Sequence, residues 1–525
     1  MRVATLASNI PELYELHFGV PMAGGVLCTL NPSLDAPSLS LILQELEPKF
    51  VFLQHQCFEL TLTAFDLLLD KKIITKLPLL VLIISSGHIE QCSISSYTGK
   101  LPSGSLHYDE LLDLGRVDFE PLLPKHECDP ILVSYTSGST GNPKGVVYSH
   151  RAAYLNAVGE ILRSDLRERI VFLWTADMFR ANGWGFMWAV SALGGTNVCL
   201  RNMNGHTILK SISMHGVTHL SGHPRVLHYI LEEFDEDDDK SSRALPRKVY
   251  AHIAGILPPP STMTKIEEMG FMVVNRYGMT EVLGPPVKNL WKDPTMMITE
   301  CRSSSNRVES NSEYHVHNLT DYDISPQKGC FMDNIMEEFD VKDPNTMVSV
   351  PNDGKTLGEV MFRGNTIMMG YLRTLEKTKR VFQGGWFHTG DLAVRHQDGS
   401  VQLKDRALDH IVNNGVSISS LEIEAVLSSH PKVLEAAVVG MPIVMNDVLN
   451  EDEVPCAFVK LRNGLDASEG EIISFCKERL PNHMIPRLVV FGDLAVTSTG
   501  KVQKFVLREI AKATRSQRSL NLLHR

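Results

Sequence analysis

One loop governs how the rest of the chain is interpreted: Tyr135-Thr136-Ser137-Gly138-Ser139-Thr140-Gly141-Asn142-Pro143-Lys144-Gly145. It combines four hydroxyls, glycine amides without a hindering side chain and one cation, which together suit a polyphosphate. A Walker loop needs Gly directly before the lysine and Ser or Thr after it, whereas Pro143 and Gly145 stand there. An unrelated P-loop nucleotide hydrolase is therefore disfavoured. A hairpin loop of the same composition without a ligand remains the alternative at this point.

Apolar stretches on both sides of the loop predict its setting. Residues 131–135 and 146–148 predict two strands, and a helix is expected to begin near Arg151. Elsewhere, helix-like stretches such as 11–27 alternate with short apolar strands, at 50–53, 79–84, 170–173, 198–200 and 249–253. This alternation predicts an α/β fold built on mostly parallel sheets.

The texture of the sequence changes after Gly384. Helices are predicted at 421–428 and 468–479 and strands at 436–439 and 456–459, which makes a compact α+β unit of about 120 residues. The predicted domains are therefore residues 1–404 and residues 405–525. The acidic run 232–239 is expected to be a solvated loop, and the polar stretch 301–335 a surface insertion or a disordered loop.

Composition excludes several classes of protein. Of 525 residues, 43% are hydrophobic and 21% charged, which is typical of a globular protein, and a net charge of −10 gives no support to a nucleic-acid surface. Nine cysteines without a Cys-x-x-Cys pair indicate reduced thiols rather than disulfides or zinc. The apolar stretch 77–84 is too short to span a membrane. No secretory signal is evident, so an intracellular, cytoplasmic location is expected.

Three further motifs carry candidate chemistry. In Tyr277-Gly278-Met279-Thr280-Glu281, the aromatic ring can stack on a base, the Thr280 hydroxyl can meet a phosphate oxygen and the Glu281 carboxylate can hold Mg²⁺. Asp391 could accept hydrogen bonds from ribose hydroxyls, although an Asp after Gly is common in turns. Lys501 lies on a Gly-hinged loop near the end of the chain, where an isolated lysine is usually solvated.

In this order, the segments resemble the adenylate-forming (AMP-binding) superfamily, and within it plant acyl-activating enzymes of the benzoate, cinnamate or short-chain-acid CoA ligase type. The resemblance covers residues 3–510 apart from 301–335, and includes the stretches 9–18, 182–184, 384–391, 419–422 and 501–505. It implies a large N-terminal domain of α/β subdomains, a small mobile α+β C-terminal domain and a hinge at Asp405. It also implies a reaction in which acid and ATP give acyl-AMP and pyrophosphate, after which the thiol of coenzyme A takes the acyl group.

The resemblance assigns a role to each matching residue. Lys501, Thr280 and Glu281 would be catalytic, with Glu281 also the Mg²⁺ ligand. The nucleotide would be bound by Thr136, Ser137, Gly138, Ser139, Thr140, Gly141, Lys144, Tyr277, Asp391 and Arg406. The expected small molecules are ATP, Mg²⁺, coenzyme A and a carboxylic acid, with an acyl pocket around Trp184, Gly185 and Gly255. The oligomeric state stays open, and a peroxisomal location remains the alternative although the chain does not end in a Ser-Lys-Leu-type signal.

Several segments depart from the family pattern. The family usually has a further segment before Val3, a histidine where Arg180 stands, small residues where Ile256 and Leu257 stand, and a lysine where Leu408 stands. The stretches 413–416 and 446–453 also replace family motifs, the first of them in a loop that lines the CoA tunnel. Two hypotheses follow: a working ligase with altered acid specificity, or a catalytically impaired adenylate-binding paralogue.

Overall fold

The protein is described by a computed structural model, which covers residues 1–71, 76–84, 101–136, 143–167, 169–200, 202–234, 244–255, 258, 260–290, 336–413, 416–445, 448–496 and 502–523. Two compact units are present. Of the described residues, the first unit comprises those in 1–290, 336–339 and 362–387, and the second those in 340–361 and 388–523. The predicted domain boundary at residues 404 and 405 falls inside the last range and stays a prediction.

The first unit contains an eight-stranded sheet with the order β16-β7-β6-β2-β1-β3-β4-β5. Its strands are β1 (Arg2–Leu6), β2 (Val26–Leu30), β3 (Phe50–Gln54), β4 (Leu79–Ile83), β5 (Leu106–His107), β6 (Pro130–Thr136), β7 (Lys144–Ser149) and β16 (Gly370–Tyr371). The six neighbouring strands β6, β2, β1, β3, β4 and β5 pair in parallel. Strand β7 is antiparallel to both β6 and β16. The helices of this part are α1 (Pro11–Met22), α2 (Ala36–Leu46), α3 (Phe58–Asp70), α4 (Tyr108–Asp113) and α10 (Leu375–Val381).

Helix α2 illustrates how local sequence fixes these elements. Asp35 precedes the helix, and its carboxylate accepts a hydrogen bond of 2.8 Å from the main-chain N–H of Ser38. The helix ends at Glu47, whose φ is 46°. Between these ends, α2 buries Leu39, Ile42, Leu43 and Leu46 in a cluster shared with α3 and the sheet. Full burial of one such side chain stabilises the fold by roughly 1.5–3 kcal/mol.

The second sheet of the first unit has six strands in the order β13-β12-β11-β10-β8-β9. They are β8 (Val171–Trp174), β9 (Thr196–Cys199), β10 (His219–Gly222), β11 (Val249–Ala254), β12 (Phe271–Met279) and β13 (Gly284–Leu290). The helices α5 (His150–Arg163), α6 (Ala181–Ala192), α7 (Gly205–His215), α8 (Arg225–Leu231) and α9 (Pro260–Glu268) accompany it. All strand pairs are parallel except β12 with β13, so the predicted α/β alternation is confirmed.

The two faces of this sheet differ in character. Along β11, Val249 and Ile253 belong to an apolar cluster with residues of α7 and α8. Side chains alternate along a strand, so His252 lies on the opposite face. There its ring centroid is 5.9 Å from that of His219 and 5.0 Å from that of Phe186 in α6. The face that Val249 and Ile253 share with α7 and α8 is therefore mainly apolar, and the opposite face contains the buried side chains of His219 and His252.

The remaining strands form three smaller sheets. A four-stranded sheet has the order β14 (Glu337–Lys342), β15 (Gly358–Gly364), β17 (Phe387–Arg395) and β18 (Val401–Arg406). A two-stranded sheet joins β19 (Ile411–Asn413) to β20 (Val416–Ile418), and a three-stranded sheet contains β21 (Val433–Met445), β22 (Val448–Leu461) and β23 (Leu488–Phe491). The helices of this part are α11 (Ser420–Ser428), α12 (Glu469–Lys477) and α13 (Lys504–Leu523).

Some predicted element boundaries are corrected. The helix predicted over 11–27 ends at Met22, because Gly24 adopts a φ of 69° and β2 begins at Val26. The strands predicted at 436–439 and 456–459 are parts of much longer strands, β21 and β22, which pair antiparallel along most of their length. Most of the acidic run and all of 301–335 lie outside the described residues. In the part of the chain that the structure describes, every helix is too short or too polar to cross a membrane.

Candidate active site

The loop that is predicted to bind phosphate, residues 135–145, connects two paired strands, as predicted. We refer to it as the phosphate loop. Strand β6 ends at Thr136 and β7 begins at Lys144, and these two residues are partners in the antiparallel ladder. The hydroxyl of Thr136 is buried and has no hydrogen-bond partner among the described residues. Five predicted site residues, Ser137, Gly138, Ser139, Thr140 and Gly141, lie outside the described residues, so their roles stay predictions.

Lys144 is joined to Glu281 through a tyrosine that the sequence did not single out. The Lys144 ammonium donates a hydrogen bond of 3.3 Å to the hydroxyl of Tyr371, which in turn donates one of 2.8 Å to the Glu281 carboxylate. Burial and the neighbouring Glu281 raise the pKa of the Tyr371 hydroxyl, which therefore stays protonated and remains a donor. The structure thus places Lys144 and the predicted metal ligand Glu281 in hydrogen-bond contact with the same hydroxyl.

The segment that contains Glu281 is held in place through its main chain. Thr280–Val282 form a single 3-10 turn between β12 and β13, and Leu283 after it has a φ of 56°. Tyr148 donates a hydrogen bond to the carbonyl of Thr280, and the N–H of Met368 donates one of 2.9 Å to the carbonyl of Glu281. Glu281 is only 8% exposed. Its carboxylate is therefore fixed by packing before any ligand binds.

Gly278 makes this turn possible. A Cβ at this position would lie 2.3 Å from the carbonyl oxygen of Gly284 and 2.5 Å from the Cα of Pro285, so only glycine fits. Its neighbour Tyr277 stacks on Phe362, with ring centroids 6.3 Å apart and an interplanar angle of 22°. The contact with Phe362 thus supports the Tyr277 ring at the start of the motif that contains Thr280 and Glu281.

A closed network of charges lies directly behind the motif. Glu160 of α5 accepts two hydrogen bonds of 2.6 Å from Arg276 and forms an ion pair of 3.1 Å with Arg163, which also donates one of 2.7 Å to Glu337. All four side chains are 1–2% exposed. Arg276 directly precedes Tyr277, so this network fixes the start of the motif. We refer to these four residues as the closed network.

The predicted ribose-binding pair lies in the second unit. Asp391 of β17 and Arg406 of β18 are partners in the antiparallel ladder, and the Arg406 Nε is 3.3 Å from a carboxylate oxygen of Asp391. Gly390 before Asp391 has a φ of 76°, and its N–H donates a hydrogen bond of 2.7 Å to Glu359. The structure therefore brings these two residues together. Lys501 lies outside the described residues.

The proposed hinge residue is anchored to a helix. Asp405 is 3% exposed, and its carboxylate accepts a hydrogen bond of 2.6 Å from the N–H of Ser420 at the start of α11. It also accepts one of 2.8 Å from the N–H of Arg406. Carboxylates are favoured at helix N-termini, where main-chain N–H groups lack intrahelical partners. Asp405 thus ties the end of β18 to α11.

The departures from the family pattern have mixed outcomes. Arg180 donates a hydrogen bond of 2.7 Å to Asp177, which partly neutralises the unusual cation, and Leu408 is 71% exposed. Residues 256, 257, 414 and 415 lie outside the described residues. Of the residues predicted to surround the acyl group, Gly185 would place a Cβ 3.5 Å from the Glu160 side chain and Gly255 has a φ of 133°. Nothing is described for the Trp184 side chain.

Sequence reasoning missed Tyr371 and Tyr148. Tyr371 directly follows a glycine, but a single Gly-Tyr pair does not indicate that the tyrosine contacts Glu281, ninety positions earlier. Tyr148 belongs to the predicted strand after the loop, and alternation there could have placed it inside. Its bond to the carbonyl of Thr280 depends on how two sheets meet, which a strand pattern does not contain.

The donors at Glu281 fit Mg²⁺ that arrives with a nucleotide. Magnesium prefers oxygen ligands and is commonly held by one or two carboxylates together with substrate phosphates. Glu281 supplies one carboxylate and Thr280 one hydroxyl beside it. Among the residues that the structure describes, no group of three His, Cys, Asp or Glu side chains could form an all-protein metal site. The chemistry of the donor set is therefore that of a shared site.

Comparisons with known proteins cover nearly the whole chain. The family model for AMP-binding enzymes matches residues 1–372, and the model for the C-terminal domain of AMP-binding enzymes matches residues 422–501. The chain is 39% identical to a 2-methylpropanoate–CoA ligase of Humulus lupulus, over 97% of this chain and 86% of that protein. It is 38% identical to the peroxisomal trans-cinnamate:CoA ligase of Petunia hybrida, over 97% and 85% respectively.

A solved structure has the same fold. The O-succinylbenzoate–CoA synthetase of Bacillus subtilis in complex with ATP and a magnesium ion superposes with a TM-score of 0.71 at 23% identity, covering 96% of this chain and 88% of that one. At this level of identity the likeness concerns the fold alone.

Proposed function

The chain belongs to the AMP-binding enzyme family, and on that premise we propose that it is an ATP-dependent acid–thiol ligase that converts a carboxylic acid into its CoA thioester. A carboxylate is a poor electrophile and must first be joined to a good leaving group. A carboxylate oxygen attacks the α-phosphorus of ATP, the bond to the β-phosphate oxygen breaks and pyrophosphate leaves. The CoA thiol, losing its proton, then attacks the acyl carbonyl, and AMP leaves.

The observation that carries this proposal is the hydrogen-bonded chain from Lys144 through Tyr371 to Glu281. It joins a cation from a loop suited to polyphosphate to a carboxylate suited to Mg²⁺, although the two motifs are far apart in sequence. A lysine ammonium close to a metal-binding carboxylate suits a metal-bound polyphosphate as ligand, because the ammonium and the metal both stabilise the negative charge of the phosphates. The hydroxyl of Thr136 at the start of the loop is buried and has no hydrogen-bond partner among the described residues, which supports the same ligand.

Each predicted residue then has a role. Lys144, with Ser139 and Thr140, would bind the pyrophosphate end of ATP, assisted by the main chain at Ser137, Gly138 and Gly141. Thr280 would donate to the α-phosphate, Tyr277 would stack on adenine, and Asp391 with Arg406 would hold the ribose. Glu281 would hold Mg²⁺, which when bound neutralises charge on the phosphate oxygens. Lys501 would place its ammonium between the carboxylate and the α-phosphate.

We propose an aromatic or short- to medium-chain acid as the substrate. The named activities of the two plant relatives, on 2-methylpropanoate and on trans-cinnamate, support this range without choosing within it. Cytoplasm remains the proposed location. The word peroxisomal in the name of the Petunia relative supports the alternative.

ATP–pyrophosphate exchange with a panel of benzoic, cinnamic and short-chain acids tests the proposal. We expect exchange with at least one acid, since adenylate formation is reversible. Lys501→Ala should abolish exchange yet leave ATP binding largely intact, whereas Lys379→Ala, which removes an exposed lysine paired with Glu376, should change neither. A folded preparation that shows no exchange with any acid would contradict the ligase and favour the impaired paralogue.

A further inference from the structure

Residues 368–371 connect the phosphate loop to Glu281 by the main chain as well as by the Tyr371 side chain. The N–H of Met369 donates a hydrogen bond of 2.8 Å to the carbonyl of Val147, and the N–H of Leu372 donates one of 2.7 Å to that of Gly145. On the other side, the N–H of Met368 donates to the carbonyl of Glu281 at 2.9 Å. This short segment is therefore fixed to both motifs at once.

The backbone at Tyr371 has little freedom. Gly370 has a φ of 148°, and a Cβ there would lie 2.6 Å from a side-chain carbon of Thr378. The Thr378 hydroxyl in turn accepts a hydrogen bond of 2.9 Å from the N–H of Tyr371. The tyrosine itself is 7% exposed. The position of the Tyr371 hydroxyl is thus fixed by the backbone and by the packing around the side chain.

The Tyr371 side chain makes two different contacts with Lys144. Besides accepting the hydrogen bond from the ammonium, its ring lies beneath the charge, with the Lys144 nitrogen 4.6 Å from the ring centroid. A cation over an aromatic face is stabilised by the ring quadrupole. The ammonium has three donors, and among the described residues its hydrogen bond to the Tyr371 hydroxyl uses one of them.

A neutral hydroxyl between the two charges has a physical consequence. If Lys144 and Glu281 formed a direct ion pair, each would neutralise the other, and a metal-bound polyphosphate would first have to break that pair. The hydroxyl instead donates to one carboxylate oxygen at 2.8 Å, which keeps the carboxylate oriented. Both charges stay available at a fixed separation.

We propose that Tyr371 is a positioning residue for nucleotide-bound Mg²⁺: its hydroxyl orients the Glu281 carboxylate for the metal and keeps Lys144 from closing an ion pair with that carboxylate. The proposal rests on the proposed function for the identity of the ligand, Mg·ATP. It assigns no chemical step to Tyr371, which acts only through Glu281 and Lys144.

The test compares ATP affinity with and without Mg²⁺, measured by titration calorimetry, in the parent chain and in Tyr371→Phe. The phenylalanine keeps the ring under Lys144 and removes only the hydroxyl. Losing the partner of a metal ligand typically weakens metal affinity at least tenfold; because Glu281 keeps its main-chain support, we expect the Mg²⁺-dependent gain in ATP affinity to fall by about fivefold. Affinity for ATP without Mg²⁺ should change less.

Tyr108→Phe is the matched control. Tyr108 is as buried as Tyr371 and donates a hydrogen bond of the same 2.8 Å length to Glu15, in the same unit. Its loss removes a buried Tyr–Glu hydrogen bond of the same kind but touches neither motif. We expect it to leave the Mg²⁺-dependent gain unchanged, so a merely structural effect of losing a Tyr–Glu bond would be seen equally in both variants.

The outcomes separate this proposal from the proposed function. An equal Mg²⁺-dependent gain in the parent and Tyr371→Phe would overturn the role of Tyr371, as would a parent that gains no ATP affinity from Mg²⁺. If the parent binds Mg·ATP but exchanges pyrophosphate with no acid, the ligase fails and the role of Tyr371 stands or falls on binding alone. Should Tyr371→Phe not fold, Tyr371→Met fills the space with a flexible side chain and carries the same expectation. If neither folds, Tyr371 is structural and the proposal is wrong.

Discussion

Two groups of charged side chains adjoin at residues 276–281, where Arg276 belongs to one group and Glu281 to the other, and they are built in opposite ways. In the closed network, Glu160, Arg163, Arg276 and Glu337 contact each other directly, and their charges cancel. In the chain from Lys144 through Tyr371 to Glu281, a neutral hydroxyl keeps cation and anion apart. The first arrangement satisfies its charges internally. The second leaves them able to bind a ligand, so the way charges are paired distinguishes support from site.

Breaking the closed network should have the largest effect on stability. Glu160→Gln keeps the shape of the side chain but leaves Arg276 and Arg163 buried with one carboxylate fewer between them. Removing one partner of a buried ion pair costs about 3–5 kcal/mol. We expect the free energy of unfolding of the first unit, measured in urea, to fall by that amount.

Glu338→Gln is the control for that prediction. Glu338 pairs with Arg363 at 2.5 Å, but the two side chains are 60% and 52% exposed. Exposed ion pairs contribute about 0–1 kcal/mol because water and salt screen them. Equal destabilisation by Glu160→Gln and Glu338→Gln would show that burial of the network does not matter, and the comparison would lose its first half.

The pH dependence of stability sharpens the same comparison. Burial lowers the pKa of His17 and of His219 to about 4, and burial together with Arg276 lowers that of His252 well below its usual value. The unfolded chain binds protons on these residues below about pH 6.5, whereas the folded chain does not. Their contribution to stability is therefore complete above pH 6.5 and is lost as the pH falls toward 4.

Each such histidine should lower the free energy of unfolding by about 1.4 kcal/mol per pH unit between pH 6 and pH 4.5. Urea unfolding of the parent and of His219→Gln over this range measures the slope, and the variant should lose the share of one histidine. A slope unchanged by the substitution would mean that His219 takes up a proton in the folded chain as readily as in the unfolded chain, contrary to its burial in the six-stranded sheet.

The sequence predicted the parts of the site that are local. Thr136 and Lys144 flank a loop between two strands, and alternation of apolar residues is enough to predict both strands. Asp391 is expected at the ribose from its own chemistry and Arg406 from the family resemblance, and the antiparallel ladder pairs them. The α/β alternation likewise follows from short stretches of local sequence, so the sheets could be predicted in class although not in strand order.

What escaped prediction depends on contacts between distant segments. Tyr371 reaches Glu281 because β16 adds to the edge of the eight-stranded sheet beside β7, and no local pattern specifies that edge. Within the closed network, only Glu160 and Arg163 lie on one helix at a spacing that brings side chains together. Arg276 and Glu337 belong to strands, β12 and β14. The supporting shell of the site is thus a property of the tertiary fold.

The most direct test of the account is the ATP affinity of Glu281→Gln with and without Mg²⁺, measured by titration calorimetry on folded protein. The amide can still accept the hydrogen bond from Tyr371 but lacks the charge that holds a divalent cation. We expect the parent to bind ATP about tenfold more tightly when Mg²⁺ is present, a gain of about 1.4 kcal/mol, and the variant to bind ATP equally well in both conditions. A variant that keeps the full Mg²⁺-dependent gain would contradict the assignment of Glu281 and with it the distinction between the two groups of charges.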